Sequence, residues 1–228
     1  MTARGRQADS LRKKAPLEGR RDRILVVAGA KGGVGATAVT LAMARDLAAR
    51  VGPTMVTSAC PGRADLSFMG GVTTPRGKRA ESIPLDKRLV LYRRALPEEP
   101  DGGRFVYEAL ERLPLEGWLV VDAGVGISPW CVTLAREAGR LMIVTTPDDL
   151  SRLNAFGAVK RLSASVNLPP VGLVVNHCAD AEQGRAVGDA LAGSVKKLLK
   201  LEASLAGWLP TSGGDPTEQP IETLAPAA

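Results

Sequence analysis

The sequence predicts an α/β fold, a doubly wound and mainly parallel sheet, and three stretches carry that expectation. The first is Ile24 to Thr40. An apolar, largely β-branched run (Ile24–Val27) breaks into Gly29, Gly32, Gly33 and Gly35, then into Ala38, Val39, Leu41, Ala42 and Met43. Strand, glycine-rich loop and buried helix face follow one another there. The second is Trp118–Val121, four apolar residues ending in Asp122. It reads as a buried parallel strand with a carboxylate at its C-terminal edge, where open α/β sheets bind ligands. The third is Leu141–Thr146, followed by a helical pattern over 148–165 whose inner face is predicted to be Leu150, Leu153, Phe156, Val159 and Leu162.

The remaining elements fall between these. The first helix is predicted over Thr37–Arg50, Gly52-Pro53 punctuates, and Thr54–Thr57 reads as a second strand. Leu89–Tyr92 reads as a third strand and Pro97–Gly103 as a loop. Phe105, Val106, Ala109, Leu110 and Leu113 fit a short amphipathic helix. A strand over Val171–Val175, a long helix over Glu182–Leu199 and a strand near Trp208-Leu209-Pro210 complete the alternation. The expected organisation is a basic tail (1–22), one α/β domain (23–210) and a proline-rich tail (211–228).

Composition narrows the classes. The 228 residues suffice for one sizeable domain with tails, and 45% hydrophobic content supports a packed core. No apolar run approaches the roughly 18 residues of a membrane span, and the charged N-terminus lacks the apolar core of a signal peptide. Cys60, Cys131 and Cys178 are scattered and odd in number, so they read as reduced thiols of a cytoplasmic protein. The net charge is +6. Residues 1–23 hold eight basic and three acidic residues, a balance of +5, so the basicity belongs mainly to the tail. Nucleic acid is therefore not the expected partner of the domain. A second basic cluster (Arg76, Lys78, Arg79, Lys87, Arg88, Arg93, Arg94) reads as a solvated face. After Thr211 the chain has Pro216, Pro220 and Pro226 but no Lys or Arg, which argues against a membrane-surface helix.

The Ile24–Thr40 stretch is the recipe for a phosphate cradle: glycines let several backbone N–H groups converge on an anion, and the helix N-terminus adds its positive end. Thr37 stands where a P-loop places the hydroxyl that binds Mg²⁺. The strict Walker pattern fails twice, with Ala30 at the first glycine and Ala36 at the lysine.

Lys31-Gly32-Gly33-Val34-Gly35-Ala36-Thr37 resembles the deviant loop K-G-G-x-G-K-[ST] of the MinD/ParA ATPases, a SIMIBI-type P-loop NTPase family. The resemblance implies ATP or ADP with Mg²⁺ as ligand. It also implies that Lys31 is the extra lysine that crosses a homodimer to the partner's phosphates. Asp122 in Asp122-Ala123-Gly124-Val125-Gly126-Ile127-Ser128 matches the metal-linked Walker B aspartate, so Thr37 and Asp122 are the implied Mg²⁺ residues. Asn176 matches an asparagine that reads the adenine edge, with His177 replacing the Arg that follows it. The D-x-D carboxylates at the end of the second strand are replaced by Ser58 and Cys60, and Asp65 is the nearest carboxylate. Nucleotide binding is therefore expected to be weakened and ATP hydrolysis weak or lost.

Within that family the chain also resembles FlhG (also FleN or YlxH), regulators of flagellar number and placement. Gln7, Ala8, Leu11 and Arg12 match the D-Q-A-x-x-L-R segment of FlhG, with Arg6 in place of the leading Asp. The resemblance implies that these four residues engage the SRP-type GTPase FlhF and promote its GTP hydrolysis. Alternatives are an active MinD/ParA-type dimerisation switch, and a TadZ/CpaE-like pilus- or cargo-positioning protein. The latter tend to carry a receiver-like domain upstream, for which 23 residues are too few.

Overall fold

The computed structural model describes residues 19–60, 66–72 and 80–211. Its strands are β1 (Ile24–Gly29), β2 (Thr54–Ser58), β3 (Glu81–Asp86), β4 (Leu89–Arg93), β5 (Trp118–Val125), β6 (Arg140–Thr145), β7 (Val171–Cys178) and β8 (Ala203–Pro210). Its α-helices are α1 (Ala36–Arg50), α2 (Leu66–Met69), α3 (Gly102–Leu110), α4 (Pro129–Ala135), α5 (Asp149–Ser165) and α6 (Ala181–Leu199). The strands form one sheet in the order β3-β4-β2-β5-β1-β6-β7-β8, parallel except for the β3–β4 pair. The doubly wound α/β expectation therefore holds.

A central parallel strand is covered on both faces, which is why β1 is an unbroken apolar run with every residue buried. Alternate side chains feed two cores. Ile24, Val26 and Ala28 pack with α3 to α6, where Phe105 meets Trp130 edge-on at 5.5 Å. Leu25 and Val27 pack with Val39, Met43 and Leu47 of α1 and Leu66 of α2. The sheet's order puts the β1–α1 loop between the C-terminal ends of β5 and β6, and that loop is the site.

Four expectations are corrected. First, β3 is an additional strand, so Leu89–Arg93 is the fourth strand. Its proline and charges hid it, yet Pro84 costs nothing on an edge strand paired only with β4. Second, the basic cluster is not wholly solvated. Arg93 is 3% exposed and bonds Glu81 at 2.5 Å and Ser67 Oγ at 3.3 Å, while Arg94 pairs with Glu108. Third, Leu150 and Leu153 are 61% and 68% exposed. Ser151, Ala155, Ala158, Val159 and Leu162 are the buried residues of α5. Ser151 turns inward because its hydroxyl bonds Thr145 Oγ1 (2.9 Å) and accepts from Thr146 N (3.1 Å), which fixes the helix's rotation. Fourth, packing begins before residue 23. Arg20 is buried and donates to the carbonyls of Leu110, Leu113 and Pro114, and Arg21 to those of Arg136 and Ala138. These cations close the exposed carbonyls at the ends of α3 and α4, where the helix dipole favours positive charge.

Lesser differences lie at element ends. α3 starts at Gly102, capped by Asp101, inside the expected loop; β5 and β8 are longer than the apolar runs that announced them. No helix among the described residues is long and apolar enough to cross a membrane.

Candidate functional site

The loop between β1 and α1 is tied on both sides. Ala30 N donates to Val144 O of β6 (2.8 Å), and Gly126 N donates to Gly29 O (2.7 Å). Gly35 caps α1 in the left-handed region, at φ 79°. A Cβ there would meet Asn176 Nδ2 at 2.4 Å, so both conformation and space demand glycine. Asn176 is the brace across this gap: its Nδ2 donates to Val34 O (2.9 Å) and its Oδ1 accepts from His177 N (3.0 Å). His177 itself is exposed, with φ 59°. No side chain caps α1, so the N–H groups of its first turn remain for an anion.

A hollow of about 760 Å³ opens over this loop, lined by residues 31–38, Ala59, Cys60, Met69, Ala123–Val125 and Ser128. Its character is set by small apolar side chains. Ala36 offers a methyl group where the common P-loop offers an ammonium. Lys31 reaches instead to Asp148, at 3.1 Å, on the rim. Asp148 also accepts from the hydroxyl of Thr146 and from Ser151 N (2.8 Å), which caps α5. Those two bonds and Lys31 hold its carboxyl down at about 2. Beyond this rim a second hollow, of about 540 Å³, lies against Thr146–Asp148, His177, Gln183 and Thr211.

Asp122, next to the lining residue Ala123 in β5, is fully buried. Its Oδ1 accepts from Gly124 N (2.9 Å) and from the Cys60 thiol (3.5 Å), whereas Oδ2 has no hydrogen-bond partner. Burial pushes its pKa up; the Thr37 hydroxyl, the Gly124 amide and Cys60 oppose that shift. Cys60, in one of the lost carboxylate positions, is pushed up to about 12 by burial and then by Asp122, so it is a neutral thiol. Ser58, in the other, uses its hydroxyl to accept from Cys60 N (3.2 Å).

Solved structures share this architecture. The ParA family ATPase from Chlorobium tepidum TLS matches with a TM-score of 0.62 over 83% of this chain and 84% of that chain, at 18% identity. The cell division ATPase MinD of Pyrococcus furiosus matches at 0.63 over 84% of each chain, at 15% identity. The fold is that of the MinD and ParA ATPases. The septum site-determining protein MinD from Pyrococcus horikoshii OT3, solved with Mg-ADP, matches at 0.60 over 83% and 81% of the two chains, at 16% identity. No protein-family model and no curated protein matches the sequence.

On this MinD/ParA fold, Lys31, Gly32, Gly33, Val34, Gly35, Ala36 and Thr37 form one loop and helix start, and the Thr37 hydroxyl bonds the Asp122 carboxylate. The residues fit a Mg²⁺–phosphate ligand in two respects: a buried carboxylate, Asp122, beside the Thr37 hydroxyl, and a glycine-rich loop in which Gly35 leaves no room for a side chain. Thr37 and Asp122 are the residues that would hold the ion. The described residues contain no cluster of three His, Cys, Asp or Glu side chains, so a metal here would draw further ligands from water or phosphate. The Asn176 amide bonds Val34 O of the loop. Gln7, Ala8, Leu11, Arg12 and Asp65 lie outside the described residues.

Sequence reasoning missed three participants. Asp148, partner of Lys31, was legible as an N-cap signal before α5 but not as a rim charge. Met69, at the mouth, belongs to a single helical turn with no periodic signature. The Cys60–Asp122 contact spans 62 residues and needed the fold to appear.

Proposed function

We propose that the chain is an FlhG-like regulator of flagellar number and placement that has kept the ATPase scaffold while losing most of its hydrolytic chemistry. Its work on an FlhF-type GTPase would lie in Gln7, Ala8, Leu11 and Arg12. The observation that carries the reading is the composition of the hollow. The cradle is intact, but Ala36, Ser58 and Cys60 put a methyl, a hydroxyl and a neutral thiol where charge would act on phosphate and water. Each lost electrostatic contact is worth about 10²–10³ in rate where catalysis rests on preorganised charge. Losing one lysine–phosphate contact costs only about 1.5–3 kcal/mol of binding, so weak ATP or ADP binding survives that loss.

Position also supports a tail acting independently of the loop. The arginine-anchored segment at Arg20–Arg23 enters β1 at its N-terminal end, whereas the loop leaves its C-terminal end. The test is the GTP hydrolysis rate of the cognate FlhF with the full chain, with Gln7→Ala, and with the full chain plus ATP. Stimulation lost in Gln7→Ala and insensitive to ATP is expected. No stimulation by the native chain refutes the reading.

A second reading, an ATP-dependent homodimerisation switch, draws on Lys31. It lies half-exposed on the rim, and its partner is another rim residue rather than the interior. Mass measurement with and without ATP and Mg²⁺ decides it: a monomer-to-dimer shift abolished by Lys31→Ala supports the switch.

A further inference from the structure

We propose that the end of the sheet opposite the loop is a docking surface for an anionic lipid bilayer, with Leu115 and Val51 as its apolar tips. Val51 follows α1 and leads towards β2, and Leu115 leads from α3 towards β5. The two connections meet where Trp118 N donates to Pro53 O (2.8 Å). Large apolar side chains stand in water there: Leu115 is 77% exposed and Val51 47%, beside half-buried Pro53.

Cations surround these tips. Arg23 Nη1 donates to Leu115 O (3.3 Å), and Thr54 N donates to the carbonyl of Arg88 (2.7 Å), whose side chain is exposed just before β4. Lys87 is exposed next to it. Asp86 and Glu116 offset Lys87 and Arg88, and Asp46 pairs with Arg50, so the sign is decided by residues 1–23, whose balance is +5. Eighteen of those residues precede Gly19. The chain joins the fold at this same place, where Arg20 donates to Pro114 O (2.7 Å), next to Leu115.

The pattern suits a bilayer better than a nucleic acid. Apolar side chains raised on separate connections insert between headgroups one by one, while basic side chains stay at headgroup level. A phosphate backbone would use the cations and leave Leu115 and Val51 without a role. Each Lys or Arg near an anionic leaflet contributes roughly fivefold in affinity, within about one Debye length of the surface. One leucine and one valine are too little apolar surface to hold the chain alone, so tips and charge are both required. The loop, the hollow and Lys31 lie at the other end of the strands and face away from the bilayer. Docking is therefore independent of nucleotide.

The experiment is co-sedimentation of the full chain, without nucleotide, with vesicles of phosphatidylcholine alone or mixed with phosphatidylglycerol. Binding to the mixed vesicles only, weakening as salt rises, is the expected result. Leu115→Asp and Val51→Asp, at exposed positions, should each weaken it about tenfold while circular dichroism stays native. Leu153→Asp, at a leucine 68% exposed at the other end, should leave binding unchanged. No binding to the mixed vesicles, equal binding to phosphatidylcholine alone, full binding by folded Leu115→Asp and Val51→Asp, or an equal loss in Leu153→Asp overturns the proposal. Displacement from the vesicles by duplex DNA at matched charge also overturns it and assigns the basic segment to nucleic acid.

Discussion

Replacing Ala36 with lysine puts back the charge that the loop lacks, and the structure allows its effect to be worked out. Ala36 is the first residue of α1, half-buried, and lines the 760 Å³ hollow, so a longer side chain has room to extend. One ammonium–phosphate contact contributes about 1.5–3 kcal/mol, which is about one to two decades of affinity. The helix-propensity cost of Ala→Lys at a terminus is a few tenths of a kcal/mol and does not offset it. Turnover should stay near background, because Ser58 and Cys60 still stand in the carboxylate positions. Calorimetric titration of the native chain and Ala36→Lys with ATP and Mg²⁺ measures the first quantity, and phosphate release the second. Unchanged affinity in a folded Ala36→Lys variant would refute the cradle argument, since it would mean the loop does not present its amides to phosphate.

Three further outcomes follow from the geometry. Asn176→Ala removes one buried and one part-buried hydrogen bond and leaves Val34 O unpaired, so chemical denaturation should show a loss of about 1–3 kcal/mol, with nucleotide binding weakened alongside. Arg20→Ala strips three helix-end carbonyls of a buried cation; a similar loss of about 2–4 kcal/mol is expected with the affinity of the loop unchanged, and a drop in affinity would contradict the separation of the two ends. Asp148 should titrate by NMR near 2 rather than 3.8. Its folded-state pKa is depressed, so the stability it lends is complete above about 3.8 and is lost as pH falls towards about 2; Thr146→Val should move the titration back up, and an unshifted titration in the native chain would refute the assigned hydrogen bonds.

Local chemistry made the α/β class legible before any coordinates. β1 must be apolar on both faces to lie mid-sheet, glycines mark the turn into α1, and Asp122 marks the end of an apolar run. These are short-range features, written in consecutive residues. The tertiary structure decided what the polar groups do. α5 has leucines at helical spacing that favour one face inward, but the bonds from Ser151 to Thr145 and Thr146 turn it so that Leu150 and Leu153 face out. β3 was masked by Pro84, tolerable only because the strand is an edge. Asn176 reads from its motif as a ligand-binding group, yet its amide braces a loop 142 residues away. Cys60 reads as a lost carboxylate, and only the approach of β2 to β5 puts its thiol on Asp122. Periodicity reports which side chains prefer to leave water. A polar side chain's role depends on which partner the folded chain brings within about 3 Å, and that distance is set by long-range packing.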